Sequence, residues 1–173
     1  MDEMKCYEQM QPSTGELAAA LGSFDGLHLG HRQVIGHTFS SHGLLPAVVT
    51  FRENPSVFLR PEPVPMLTTN RQKLELLKET GVDTVYLLPF EQVQDLEPEE
   101  FIRMLYQVCG VRKICCGFNF RFGKKGRGDT ELLYRLCREL GMELSVSQPV
   151  TVDGEPVSST RVRRCLEQGD VGE

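Results

Sequence analysis

The chain has 173 residues, 19 Lys and Arg against 24 Asp and Glu for a formal net charge of −5, and 40% hydrophobic and 25% charged residues. That is the length of one domain with an ordinary globular composition, which excludes wholesale disorder, and the acidic balance speaks against general nucleic-acid binding. No apolar run approaches the roughly 18 residues of a membrane span, and the polar start Met1–Cys6 does not read as a secretory signal, so the expected setting is the cytoplasm.

In chain order, Leu17–Leu21 is a short apolar run that leads into Gly22-Ser23-Phe24-Asp25-Gly26. His31–Ser40 reads as a helix stopped by Gly43. Ala47–Phe51 is apolar and β-branched, a buried strand. Pro55, Pro61, Pro63 and Pro65 keep the next stretch out of regular structure. Thr68 or Thr69 caps a helix in which Leu74, Leu77 and Lys78 fall at helical spacing before Gly81 ends it. Val85–Pro89 reads as a third strand. Glu97-Pro98-Glu99-Glu100 opens a helix with Pro and acids in its first turn and an apolar stripe of Phe101, Leu105 and Val108. Ile114–Phe118 is a fourth strand. Asp129 caps a helix carrying Leu132, Leu133, Leu136 and Leu140, and Met142–Val150 is a fifth strand. Asp153-Gly154 signals a tight turn, and Ser158 or Ser159 begins a last short helix to Leu166. Strands alternating with helices predict an α/β fold, a Rossmann-like doubly wound parallel sheet of about five strands, with ligands at the carboxyl ends of the strands.

The six cysteines, Cys6, Cys109, Cys115, Cys116, Cys137 and Cys165, include no C-x-x-C pair and read as reduced thiols, several of them buried. His37 and His42 match no motif and read as surface residues.

Three segments carry chemistry. Gly22–His31 is a Gly-rich turn after the first strand that ends in His28-Leu29-Gly30-His31 at a helix start. Unpaired N–H groups and the helix dipole suit a phosphate there, and two His three apart share one side of the first turn. Each can donate to a phosphoryl oxygen as charge shifts, and Gly30 permits close approach. The plain alternative is a glycine turn with two solvent-facing histidines. Asp25 either caps backbone N–H groups, the preferred reading, or approaches a bound Mg²⁺.

The second segment alternates Phe118, Phe120 and Phe122 with Asn119 and Arg121, then runs through Gly123-Lys124-Lys125-Gly126-Arg127-Gly128. Val111–Gly128 holds six Lys or Arg and no acid in an acidic protein. A cationic glycine loop beside aromatic rings suits a planar phosphorylated ligand, with Asn119 as donor and acceptor. Alternation buries one set of these residues, so part of the Phe set is core. Single-stranded RNA is a third reading, disfavoured by net charge and by the lack of an RNP1 pattern. The third segment sets Ser158, Ser159 and Thr160 at a helix start with Arg161 and Arg163 just inside. Cations there have the wrong sign for the dipole unless an anion binds, which points to a triphosphate; plain capping is the alternative.

H-x-G-H in this setting resembles the nucleotidyltransferase superfamily. With Leu67-Thr68-Thr69, Lys73-Leu74, Gly117–Gly123 and Val157–Arg163 in order, the chain resembles the N-terminal FMN adenylyltransferase module of prokaryotic FAD synthetase, the bifunctional riboflavin kinase/FMN adenylyltransferase. The resemblance implies transfer of AMP from ATP to the phosphate of FMN, giving FAD and pyrophosphate, with ATP and FMN as small-molecule partners and Mg²⁺ accompanying ATP. It implies His28 and His31 as catalytic residues. Gly22, Phe24, Asp25, Gly30, Asn119, Ser159, Thr160 and Arg163 would bind ATP, and Asn54, Phe58, Phe122, Lys124, Arg127 and Arg161 the flavin or its phosphate. One departure stands out: the family commonly has T-F-x-P-H-P where this chain has Thr50-Phe51-Arg52-Glu53-Asn54-Pro55, so Asn54 cannot carry a proton in a role that needs charge. The family's P-T-A-N kinase signature is absent from the sequence, so a single domain over 1–173 without riboflavin phosphorylation is expected. Two other readings stay open: adenylylation or cytidylylation of another small phosphate ester, and a non-catalytic flavin- or nucleotide-binding module.

Overall fold

The computed structural model describes residues 3–53 and 67–156. Leu17–Leu21 forms strand β2, all five residues buried as in a strand covered on both faces. It lies at the middle of a six-stranded sheet in the order β1-β4-β3-β2-β5-β6, with every neighbouring pair parallel. The other strands are β1 (Lys5–Tyr7), β3 (Leu45–Phe51), β4 (Thr84–Leu88), β5 (Val111–Gly117) and β6 (Glu143–Ser147). From β2 the chain steps one way through β3 and β4, then crosses back to the other side of β2 for β5 and β6. The order therefore reverses between β2 and β5, and the crevice at their carboxyl ends is where such a sheet takes a ligand.

The sheet separates two apolar cores. Leu17, Ala19, Leu21, Ala47, Val49, Tyr86, Leu88, Ile114 and Cys116 point to one face, beneath α4 (Pro98–Gln107) and α5 (Thr130–Leu140). Ala20, Val48, Val85, Leu87 and Cys115 point to the other, beneath α1 (Leu29–Gly36) and α2 (Asn70–Thr80). The period of two assigns each residue to its face. A short α3 (Phe90–Val93) follows β4. No helix among the described residues is long and apolar enough to cross a membrane.

Several boundaries differ from the sequence reading, each for a local reason. The first helix starts at Leu29 because His28 is its N-cap, and it ends at Gly36 before a 3₁₀ turn at His37–Phe39. Thr69, of the two candidate caps, closes a reciprocal capping box with Gln72. Along α2 the residues buried one turn apart are Lys73 and Leu77, while Lys78 is exposed. α4 ends at Gln107, so Val108 lies 37% exposed and Ile102 joins Phe101 and Leu105 in the buried stripe. β5 ends at Gly117, leaving Phe118 46% exposed. Asp129 caps α5 through Leu132 N–H at 2.9 Å, as expected. The fifth predicted strand stops at Ser147. Beyond it a small hairpin, β7 (Thr151–Val152) and β8 (Glu155–Pro156), turns on Asp153 and Gly154, both at positive φ. The sixth strand, β1, escapes a sequence reading because three mixed residues at a sheet edge make no apolar run. The predicted final helix lies outside the described residues.

Cys109, Cys115, Cys116 and Cys137 are buried free thiols, and Cys6 is exposed. Burial pushes Cys115 and Cys137 up to about 11 and Cys116 to about 12, so these sulfurs stay protonated and unreactive. His37 is not the surface residue expected: it is half-buried, and its Nδ1 lies 2.9 Å from Ser145 Oγ and 3.3 Å from Ser147 Oγ. The reason is that both serines sit on the same face of β6, turned towards the 3₁₀ segment. His42 is exposed.

Candidate active site

The turn after β2 departs from ordinary backbone. Phe24 (φ 50°), Gly26 (φ 80°) and Leu27 (φ 40°) all lie in the left-handed region, which costs a non-glycine residue roughly 1–2 kcal/mol. Strain of this kind persists only where the surroundings over-determine the backbone. Here they do. Phe24 and Leu27 are 1% and 3% exposed, anchored in the core under α1 and α2. The Ser23 carbonyl accepts from Thr50 Oγ1 and from Lys73 Nζ, both at 2.9 Å. The buried Asp25 carboxylate accepts from Leu67 N–H at 2.8 and 3.0 Å, from Thr68 N–H at 3.1 Å and from the Thr68 hydroxyl at 3.3 Å. At Gly26 a Cβ would stand 2.7 Å from Leu67 Cδ1, so both its φ and its lack of a side chain are needed.

This turn delivers the two histidines. His28 adopts extended backbone (φ −70°, ψ 178°) and caps α1, its Nδ1 accepting from the backbone N–H of His31 at 3.2 Å. The rings stack with centroids 3.5 Å apart and planes 17° from parallel, and Phe24 meets His31 edge-on. Burial holds His28 below the usual 6.5. It drives His31 down to about 3, helped by the His28 and Lys73 charges. Both imidazoles are therefore neutral at physiological pH, as close stacking requires.

Their tautomers follow from hydrogen bonding. His28 Nδ1 is an acceptor, so its proton sits on Nε2. His31 Nδ1 is buried with no hydrogen-bond partner among the described residues. An orphaned buried N–H is rarer and costlier than an unfilled lone pair, so the His31 proton also belongs on Nε2. The pair thus carries two Nε2–H donors at a helix N-terminus, with Gly30 between them in sequence.

The opposite wall comes from β5. Ala20 of β2 is in register with Cys115 of β5, so the strands end side by side. Gly117 leads into a turn with Phe118 and Asn119 exposed, closed by Phe120 N–H to the Gly117 carbonyl at 3.2 Å. Phe120 and Phe122 turn inward and stack with centroids 5.6 Å apart, and Phe122 also packs near Phe101. Phe122 exchanges backbone hydrogen bonds with Gly128 at 3.1 and 2.8 Å, closing a loop that displays Arg121, Lys125 and Arg127. Gly123 (φ 78°) is pressed on Pro98, where a Cβ would be 2.6 Å away. Lys124 is half-buried and its N–H bonds the Leu96 carbonyl at 2.7 Å; Arg127 lies 3.7 Å from Glu97.

The structure therefore brings Gly22, His28, Gly30, His31, Asn119 and the cationic loop to adjacent strand ends. Three of the side chains named from sequence are buried. Phe24 and Phe122 are core rings, 1% and 5% exposed, and do not present a face to a base or a flavin. Asp25 faces inward and latches the 67–68 segment, the capping role preferred from sequence. Asn54, Phe58, Ser159, Thr160, Arg161 and Arg163 lie outside the described residues. One contributor was missed. Lys73, 1% exposed, reaches from α2 to the carbonyls of Ser23 and Phe51, both at 2.9 Å. The available signal was a lysine four residues before Leu77 on the helix's apolar stripe.

Comparison with known proteins shows what the chain is similar to. A bifunctional riboflavin kinase/FMN adenylyltransferase of Listeria monocytogenes is 34% identical over 160 residues, covering 89% of this chain and 51% of the relative. Those of Bacillus subtilis and Escherichia coli K12 are each 33% identical, covering 88% and 84% of this chain and 50% and 49% of theirs. The chain spans about half the length of the curated relatives it matches. Among solved structures, a Streptococcus pneumoniae protein described as a macrolide-efflux protein superposes with TM-score 0.84 at 25% identity, over 97% of this chain and 58% of that one. A pantoate-beta-alanine ligase of Francisella tularensis shares the fold at TM-score 0.65 and 14% identity, over 96% and 77% of the two chains. The FAD synthetase family model matches residues 10–161, and the chain belongs to that family.

Proposed function

We propose that this chain is an FMN adenylyltransferase: FMN + ATP → FAD + pyrophosphate. The observation that carries the reading is the neutral, stacked His28–His31 pair with both Nε2–H groups available beside the α1 N-terminus. An oxygen of the FMN phosphate attacks the α-phosphorus of ATP, a new P–O bond forms, and the bond to the bridging oxygen breaks as pyrophosphate leaves. No covalent enzyme intermediate is needed, so the protein's work is positioning and charge stabilisation. The two Nε2–H donors meet the α-phosphoryl oxygens as negative charge builds there. Because the rings are neutral, they act as fixed dipoles and need lose no proton.

Asn119 and the loop with Lys124 and Arg127 are proposed for the nucleotide and the flavin phosphate, supported by exposure and sign of charge. Ser159, Thr160 and Arg163 are proposed to hold the leaving phosphates, and Asn54, Phe58 and Arg161 the flavin side, on the family resemblance. Mg²⁺ would arrive with ATP and neutralise the triphosphate oxygens. Among the described residues no group of three or more His, Cys, Asp or Glu is placed to cage a metal. Of the two activities in the relatives' names, we assign this chain the adenylyl transfer, and we place it in the cytoplasm, where ATP and reduced thiols are both maintained.

The test is chromatographic detection of FAD after incubating the protein with FMN, ATP and Mg²⁺, beside a His28→Ala variant and a riboflavin-only reaction. FAD from FMN alone, lost in the variant, is the expected result. Binding of FMN and ATP without pyrophosphate release would overturn catalysis in favour of a binding module. Product from another phosphate ester instead of FMN would overturn the substrate.

A further inference from the structure

We propose that Lys73 is a positioning residue for the histidine pair: its buried ammonium ties the Ser23 carbonyl after β2 to the Phe51 carbonyl at the end of β3 and so fixes the turn that carries His28 and His31. The role rests on that pair being the one that meets the phosphoryl group.

The geometry is specific. Lys73 is 1% exposed, an unusual place for a lysine, and Nζ makes two hydrogen bonds of 2.9 Å to carbonyls at the ends of two adjacent parallel strands. Ser23, one of these, directly precedes Phe24, the first of the left-handed residues. Its carbonyl already accepts from Thr50, so the ammonium adds a second, charge-assisted bond to the point where the strained backbone begins. An aliphatic residue on α2 could fill the space, but it has no donor for the two carbonyl oxygens. The titratable groups facing Lys73 are Asp25 from the turn, Glu53 after β3, and His31, with His28 stacked behind it, from α1. Asp25 and Glu53 favour the charged ammonium. Burial opposes them and brings Lys73 down to about 8, so it remains mostly charged at pH 7. That charge also disfavours a proton on His31. Lys73 therefore acts on His31 twice, through the backbone of the turn and through the field.

The test follows the histidine ring ¹³Cε1 signals against pH, with kinetics alongside. In Lys73→Met the His31 midpoint should rise. kcat should fall on the order of 10²-fold, as displacement of a catalytic group by about 1 Å can cause, with the KM for ATP much less changed. Thr50→Val removes the other bond to the same carbonyl without altering charge, and should lower thermal stability while leaving the His31 midpoint in place. A Lys73→Met protein with lowered stability but unchanged His31 midpoint and unchanged kcat would overturn the proposal. If that variant fails to fold, the wild-type protein decides. Its His31 signal should show a step at the pH where the Lys73 ¹³Cε signal reports loss of the ammonium proton, and a His31 trace flat through the observed Lys73 titration would overturn the proposal. The titrations need no turnover, so they stand apart from whether FAD is formed.

Discussion

Phe24 sets its ring edge-on to His31, with centroids 5.2 Å apart and planes at 81°. The contact sets a core residue against one of the two histidines proposed to meet the phosphoryl group. His31 thus stacks on His28 and meets, edge-on, a ring that is itself 1% exposed. Phe24→Ala should cost about 3–5 kcal/mol in denaturant unfolding, as large-to-small changes in a core do. FAD formation should fall further than the loss of folded protein explains. Equal losses in both would show that the contact does nothing for the chemistry.

The stability of the protein should weaken in mild acid through His31. Folded His31 stays unprotonated down to about 3, whereas the unfolded chain takes up this proton near the ordinary 6.5. Between those values the unfolded state binds more protons, so stability falls as pH drops through that window and the contribution is complete above 6.5. Urea midpoints of wild type and His31→Gln, measured from pH 7.5 to 4, should reveal it. The wild-type midpoint should drop more steeply than that of the variant.

Asp25→Asn should loosen the 67–68 segment. The amide oxygen keeps one acceptor, but the carboxylate now serves Leu67 N–H, Thr68 N–H and the Thr68 hydroxyl together. Leaving a buried donor without its partner costs about 1–3 kcal/mol. Thermal unfolding measures this, and amide hydrogen exchange at Leu67 and Thr68 should speed up before that of β2.

Gly123→Ala places a methyl about where Pro98 stands and does so at a φ that L-residues avoid. Overpacking of this kind typically costs about 1–3 kcal/mol. Because the strain falls at the base of the cationic loop, the KM for FMN should rise, with a smaller effect on ATP binding to the His side.

Arg127 separates binding from stability. Its pairing with Glu97 is exposed and 3.7 Å long, so Arg127→Ala should change unfolding by less than about 1 kcal/mol. If the loop receives a phosphate, the same variant should raise the KM for FMN several-fold, and added salt should narrow the gap from wild type. An unchanged KM would remove Arg127 from the site.

What could be read from the residues followed the strength of local signals. The strands β2 to β6 announced themselves as apolar runs, and Thr68 or Thr69, Gly81 and Asp129 marked helix ends by capping chemistry. His28 and His31 were legible because residue type, spacing and a glycine turn agree at one place. Lys73 was not, because its importance lies in what it reaches across space, the carbonyls of Ser23 and Phe51 on two other segments. The inward turn of Phe24 and Phe122 was hidden for a related reason. Alternation says that some rings are core but not which, and a backbone passing through positive φ at Phe24 breaks the period on which the count depends. Asp25 could be read as a cap but not as a latch on Leu67, forty-two residues away.

β1 lies on the outer edge of the sheet and pairs only with β4, Lys5 opposite Thr84 and Tyr7 opposite Tyr86. Its partner follows it in the chain by nearly eighty residues, Thr84 against Lys5. All the main sheet's pairings are similarly non-local, so contact order is high and folding belongs to the slow regime of such topologies. Until β1 docks, the flank of β4 presents unpaired N–H and C=O groups beside buried Val85 and Tyr86, a surface on which another nascent chain can add a strand. A strand of three residues, silent in the hydrophobic pattern, thus covers a flank of β4 that would otherwise be open to another chain.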